Sequence, residues 1–276
     1  MLKDILVHLD ASPSSERRLE AATLLAERNE AHLVGLFVNS LEGAIPYRES
    51  YSVFEAMQYL SKRNAADEAA TEAMFRRAVA GGAFSAEWRA AEGRIDQTVA
   101  QHARAADLAV LGQYDPEHPS IGSGASVPSY VPLASGRPAL IVPYAGHVET
   151  LGRRVLVAWD GGREAARAVN DALPLLKTAE QVTVITITTA MRSGSQELPY
   201  VDIAAHLARH GVTVDARIEP RCDDEIADLL LSFIADHSVD LLVMGSYGHS
   251  EMRELLLGGV TRAILTRMTV PVLMSH

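Results

Sequence analysis

Two stretches of this 276-residue chain repeat each other, and that fixes the architecture before any single element does. Lys3-Asp-Ile-Leu-Val-His-Leu-Asp10 aligns with Arg153-Arg-Val-Leu-Val-Ala-Trp-Asp160 at an offset of 150, keeping Leu6, Val7 and Asp10 as Leu156, Val157 and Asp160. Asp107-Leu-Ala-Val-Leu-Gly-Gln-Tyr114 matches Asp240-Leu-Leu-Val-Met-Gly-Ser-Tyr247 at five of eight positions, and Pro138-Ala-Leu-Ile141 matches Pro271-Val-Leu-Met274, both at offset 133. The two offsets differ by 17, so the first half carries that many extra residues, placed in segment 39 to 80. The connection Ala145 to Gly152 has no apolar periodicity, as a boundary should. At roughly 150 residues per domain the length allows two, and 48% apolar residues suffice for two cores. The domains are set at about 1–145 and 152–276.

Within each half, β-branched and Leu-rich runs alternate with helical patterns, the signature of βαβ units and a buried parallel sheet. Strands are expected near 3–9, 32–38, 84–90, 107–111 and 138–142, and again near 153–158, 181–188, 212–218, 240–244 and 270–275. Ser12-Pro13 reads as a cap for a helix over 14–28, with Leu19, Ala22, Leu25 and Ala26 on one face. A long helix over 51–80 stops at Gly81-Gly82. Second-half helices are expected near 162–177, 199–210, 222–236 and 259–268.

In an open parallel α/β sheet, ligands sit beyond the carboxyl ends of the strands, where strand order reverses. With order 3-2-1-4-5 that point lies between the first and fourth strands. In the second half these end at Trp159-Asp160-Gly161-Gly162 and Met244-Gly245-Ser246-Tyr247-Gly248, so both loops face one crevice. Gly258 and Gly259 then open an apolar helix whose unpaired N–H groups suit an anion.

Here the sequence resembles the universal stress protein family in its tandem form. The resemblance covers nearly the whole chain. ATP-binding members carry Gly, two residues, Gly, nine residues, then Gly followed by Ser or Thr, and Gly245, Gly248 and Gly258 have that spacing after the strand Asp240 to Met244. The resemblance implies two doubly wound, Rossmann-like parallel-sheet domains in a pseudo-twofold arrangement, with their last strands paired antiparallel. It implies ATP, with magnesium, as the cofactor. Carried over by position, Asp160 and Ala158 border the adenine with Ile187, Met244 and Gly245 line the ribose side, and Gly248, Gly258, Gly259 and Val260 approach the phosphates.

The family's hydroxyl after the third glycine is Gly259 here, which removes a phosphate hydrogen bond worth about 1.5–3 kcal/mol. Thr261 replaces it only if it acts in a non-helical first turn. The first half departs more: at offset 133, Gly248 becomes Asp115, Gly258 becomes Ala125 and Thr261 becomes Pro128. A carboxylate at Asp115 opposes phosphate, and two prolines stiffen the loop Asp115 to Pro119. Nucleotide is therefore expected in the second half alone. Gly122 to Ser126 reads as a surface loop, with an anion-holding nest as the alternative.

Other chemistry is weaker. His206 and His210, four apart on a helix, supply two metal ligands, and two are not a site. His249, Glu251 and Arg253 read as surface charge. Cys222 sits beside Asp223 and Asp224, whose charges oppose a thiolate. No nucleophile elbow, Walker lysine or His-Glu-x-x-His motif is present. A formal net charge of -10 with no basic run argues against nucleic acid. The acids and histidine near the N-terminus and the lone cysteine argue for the cytoplasm, and no apolar run suits a membrane. The expected function is a cytoplasmic stress-response protein that senses or carries an adenine nucleotide and signals to a protein partner yet to be identified. The alternatives are a scaffold that has lost the site and, less favoured, a nucleotide-processing enzyme. Tyr47, Tyr51, Phe54, Met57, Tyr59 and Leu60 in the extra segment suggest a homodimer contact, or a helix that covers its own sheet or lids the first crevice.

Overall fold

The structure, a computed structural model, describes residues 1–42, 53–118, 122–189, 198–221, 226–246 and 259–276. It divides into two compact units, Met1–Ala145 and Gly146–His276. The first holds β1 (Asp4–Leu9), α1 (Ser15–Asn29), β2 (His32–Asn39), α2 (Val53–Val79), β3 (Ala86–Glu92), α3 (Ile95–Ala103), β4 (Leu108–Gly112), α4 (Val127–Ser135) and β5 (Ala139–Val142). The second holds β6 (Arg154–Ala158), α5 (Arg163–Leu176), β7 (Gln181–Thr189), α6 (Leu198–Arg209), β8 (Val214–Arg221), α7 (Ile226–Asp236), β9 (Leu241–Gly245), α8 (Gly259–Arg267) and β10 (Val272–Ser275).

Each unit is a doubly wound α/β fold. In the first the strands run β3-β2-β1-β4-β5, all parallel, and in the second β8-β7-β6-β9-β10, again all parallel. The 3-2-1-4-5 order expected from the sequence is present in both halves. Central strands are buried along their length, as in Ile5–Leu9 and Leu241–Met244, because helices cover both faces. Edge strand β3 has only half-buried and exposed positions.

The repeat has a physical reason at Asp107 and Asp240. Each precedes the fourth strand of its half and accepts backbone N–H groups at the start of the first: Asp107 from Lys3 at 2.7 Å and Asp4 at 3.1 Å, Asp240 from Arg153 at 3.1 Å and Arg154 at 2.9 Å. In each half one side chain satisfies two backbone donors at the start of the strand. The recurring carboxylate thus locks the two central strands in register.

Helix α1 begins at Ser15, later than Ser12-Pro13 suggested, and its N-cap Ser14 makes no side-chain cap bond. The hydroxyls of Ser12 and Ser15 are committed to Asp10 instead. α2 ends at Val79 before Gly81, whose φ of 92° needs a residue without a Cβ. Gly122–Ser126, read above as a loop, forms a 3-10 turn leading into α4. The aromatic positions Tyr47 and Tyr51 lie outside the described residues, as do the side chains of Phe54 and Met57.

Candidate functional site

In the second half, β6 lies between β7 and β9, with Ala158 in register with Ile185 on one side and Met244 on the other. Strand order reverses between β6 and β9. The carboxyl ends of three adjacent strands therefore bring Ala158, Asp160, Ile187, Met244 and Gly245 into one neighbourhood. Trp159 N–H still donates to Ile185 at 2.9 Å, so the ladder continues one residue beyond β6 before Asp160 turns the chain. Asp160 is exposed and its Oδ1 accepts from Gly162 N–H at 2.8 Å, an Asx turn that launches α5 from the next residue.

Gly245 has a role that a ligand does not explain. A Cβ there would lie 2.6 Å from the Ala165 amide nitrogen and 2.7 Å from the Glu164 carbonyl carbon. The first turn of α5 sits directly on the end of β9, and only glycine allows that approach. Beside it Glu164 is buried; burial would raise its carboxyl pKa, and its hydrogen bonds, first with Arg163, outweigh that and hold it below the ordinary value. Ser246 is wholly buried, its Oγ donating to Ser275 at 3.0 Å.

Gly259 begins α8 and has open space where a Cβ would go. Val260 is half-buried. Thr261 is 4% exposed, so its hydroxyl is turned into the protein in the first turn of α8. Gly248 and Gly258 lie outside the described residues, as do Cys222, His249, Glu251 and Arg253.

The crevice of the first half is built differently. Arg18, on α1, is 3% exposed and reaches back to the end of β1. Its Nη2 donates to Asp10 Oδ1 at 2.6 Å, to Ser15 Oγ at 2.5 Å and to Ser12 Oγ at 3.0 Å. The guanidinium lies over the end of β4: a Cβ on Gly112 would be 3.0 Å from Arg18 Cδ and 3.2 Å from Cζ. Burial would raise the Asp10 carboxyl pKa, but the Arg18 charge and the hydrogen bonds hold it far below the usual range. His8 is buried beside this pair; desolvation, with the Arg18 charge, pushes its pKa down to about 4, so the ring is neutral near pH 7. Asp115 accepts from the backbone N–H groups of Glu117 at 2.9 Å and His118 at 3.3 Å and pairs with the His118 ring at 3.1 Å. Burial again opposes ionisation there and the hydrogen bonds prevail, lowering its pKa.

His206 and His210 stand with ring centroids 4.6 Å apart, on one helix face. Among the described residues no group of three His, Cys, Asp or Glu side chains is placed to hold a metal, and no helix is long and apolar enough to cross a membrane.

Comparison with known proteins completes the picture. The family model of the universal stress protein family matches residues 152–276. The match falls within the second unit. A curated universal stress protein of Synechocystis sp. is 37% identical over 46 residues, a match spanning 17% of this chain and 16% of that protein. A universal stress protein from Archaeoglobus fulgidus superposes with a TM-score of 0.71 at 17% identity, over 99% of this chain and 96% of that one. A putative universal stress protein from Pseudomonas aeruginosa gives 0.64 at 17% identity, over 99% and 93%. At these identities the structural likeness is one of fold, and it extends over both halves.

Arg18 is the residue that motif reasoning missed in the first of these two domains. It lies four and seven positions before Ala22 and Leu25, on the face that α1 buries, where a charge requires a partner. At offset 150 its counterpart is Ala168, fully buried in α5, and the counterpart of His8 is Ala158. An arginine against an alanine on the buried stripe was the available signal.

Proposed function

We propose that this chain is a universal stress protein that binds an adenine nucleotide, ATP with magnesium, in its second half alone, and acts in the cytoplasm as a stress-response sensor or signalling protein without turnover chemistry. The carrying observation is the strand-order reversal between β6 and β9, where Asp160, Ile187 and Met244 converge and the Gly245, Gly248, Gly258 spacing begins. A carboxylate beside strand-end apolar side chains suits a base with an exocyclic amine. The exposed N-terminus of α8 at Gly259, with no side chain in the way, suits a phosphate. The first half carries Asp115 in the matching loop and fills its crevice with Arg18. A native mass spectrum of the full chain with added ATP tests this: a shift of one nucleotide per chain supports it, and an unchanged mass contradicts it.

A second reading is favoured by Gly245, whose glycine the packing of α5 explains without a ligand. In it the domain keeps the fold and serves as a nucleotide-free interaction scaffold. The missing hydroxyl at Gly259 supports the same reading. Steady phosphate release diminished by Gly248→Asp would instead make the protein an enzyme. Homodimerisation through α2, where Tyr59 is 67% exposed, belongs to the same proposal, and a light-scattering mass near one chain of 29.8 kDa would contradict it.

A further inference from the structure

The first half keeps a crevice at its strand-order reversal, between the ends of β1 and β4, lined by His8, Asp10, Arg18, Gly112, Gln113 and Asp115. The cavity left there is about 20 Å³, room for about one water and far short of a heterocycle. What fills the rest is the protein itself. The planar Arg18 head is held at one edge by the Asp10 carboxylate and the Ser12 and Ser15 hydroxyls, with the Gly112 backbone beneath its stem. Among the described residues, Arg18 Nε and His8 Nδ1 are buried with no partner, so polar capacity in the cavity is left over. A charge buried on an apolar helix face is costly unless its site is built to receive it. This one is built: three oxygens from one turn converge on one nitrogen.

We propose that Arg18 is the built-in occupant of the first crevice, a covalently attached guanidinium that excludes free planar ligands, and that removing it exposes a receptor for small guanidinium or amidinium cations. The matching position in the second half is Ala168, and there α5 rests directly on Gly245 with no side chain between. The two halves have thus settled the same junction in two ways, a spacer arginine in one and helix on strand in the other. In the first half specificity is set before any loop residue acts: with Asp115 neutralised, Arg18 still denies a base its place. This inference does not depend on nucleotide binding by the second half, and its probe is not a nucleotide.

Chemical rescue in the full chain is the test. Arg18→Ala is expected to lower the unfolding midpoint. Methylguanidinium chloride at ~20 mM should then raise the variant's midpoint by at least about 2 °C more than the wild type's, while equal methylammonium chloride or sodium chloride does not. In D10N/R18A, where the carboxylate is gone, the selective response should vanish. Equal responses in Arg18→Ala and wild type, or equal rescue by methylammonium, would overturn the proposal. Should Arg18→Ala fail to fold, the wild type decides: a slowly exchanging arginine Nε–H resonance that disappears in Arg18→Lys is expected, and only fast-exchanging arginine signals would overturn it.

Discussion

Asp10 and Asp160 stand at the same place in two copies of one fold, and their carboxylates do different work. Asp160 is exposed and caps the short turn into α5, using one oxygen on Gly162. Asp10 is gathered into a cluster with Arg18, Ser12, Ser15 and the neutral His8. The difference is set on the neighbouring helix, by arginine at 18 against alanine at 168, and it propagates to the strand behind. Where the small residue stands, helix backbone lies 2.6 Å from where a Cβ on Gly245 would be; where the arginine stands, its side chain lies against Gly112 instead. In both halves the strands beneath keep their hydrogen bonds, whichever way the gap is filled.

The largest effect should come from removing the spacer. Arg18→Ala leaves Asp10 with the Ser12 and Ser15 hydroxyls and the Ser12 N–H but no countercharge from Arg18, and is expected to cost about 3–5 kcal/mol, toward the lower end because 31% of the Asp10 side chain reaches solvent. Denaturant midpoints would show it, and D10N/R18M should lose less, since no buried charge is stranded. A loss below about 1 kcal/mol for Arg18→Ala would mean that the pair is not what holds α1 to the sheet.

Acid should then separate the halves. His8 has a pKa of about 4 in the folded chain against 6.5 unfolded. Between these values the unfolded chain takes up a proton that the native state refuses, so stability falls as pH drops from about 6.5 to 4, by about 3 kcal/mol in all. The second half has Ala158 in that place. His8→Ala should therefore flatten the pH dependence in this window, and a slope unchanged by the substitution would contradict the buried neutral ring.

The glycines give a finer contrast. Gly245→Ala drives a Cβ to 2.6 Å from helix backbone and should cost about 1–3 kcal/mol. Gly112→Ala finds Arg18 atoms nearest, at 3.0 Å or more, so that side chain need shift by only a few tenths of an ångström, and the cost should be smaller than at Gly245. Thermal midpoints in the reverse order would remove the spacer account of the first half.

Much of this was written in the chain. Parallel strands buried on both faces leave uninterrupted runs such as Ile5 to Leu9 and Leu241 to Met244, and the repeat of Asp107 as Asp240 showed which runs correspond, while the 3-2-1-4-5 order stood as a condition that only the folded sheet could meet. The start of α1 was misread, since Ser12 looks like a cap until its hydroxyl is seen on Asp10. Gly245 was legible as a glycine that something approaches, and nothing local distinguishes a ligand from a helix as the visitor. Arg18 was hidden for a different reason. A charge on a buried stripe gains meaning only from its partner, and Asp10 lies eight residues away on another element, joined to it by tertiary folding alone.

The central claim is that one half binds nucleotide and the other is filled by its own side chain. Titration calorimetry of the full chain with ATP and magnesium tests it most directly, read as stoichiometry and then repeated on Gly248→Asp and Asp115→Gly. One site per chain is predicted, weakened about tenfold or more by Gly248→Asp and left single by Asp115→Gly. Two sites in the wild type, or one site indifferent to Gly248→Asp, would contradict the account.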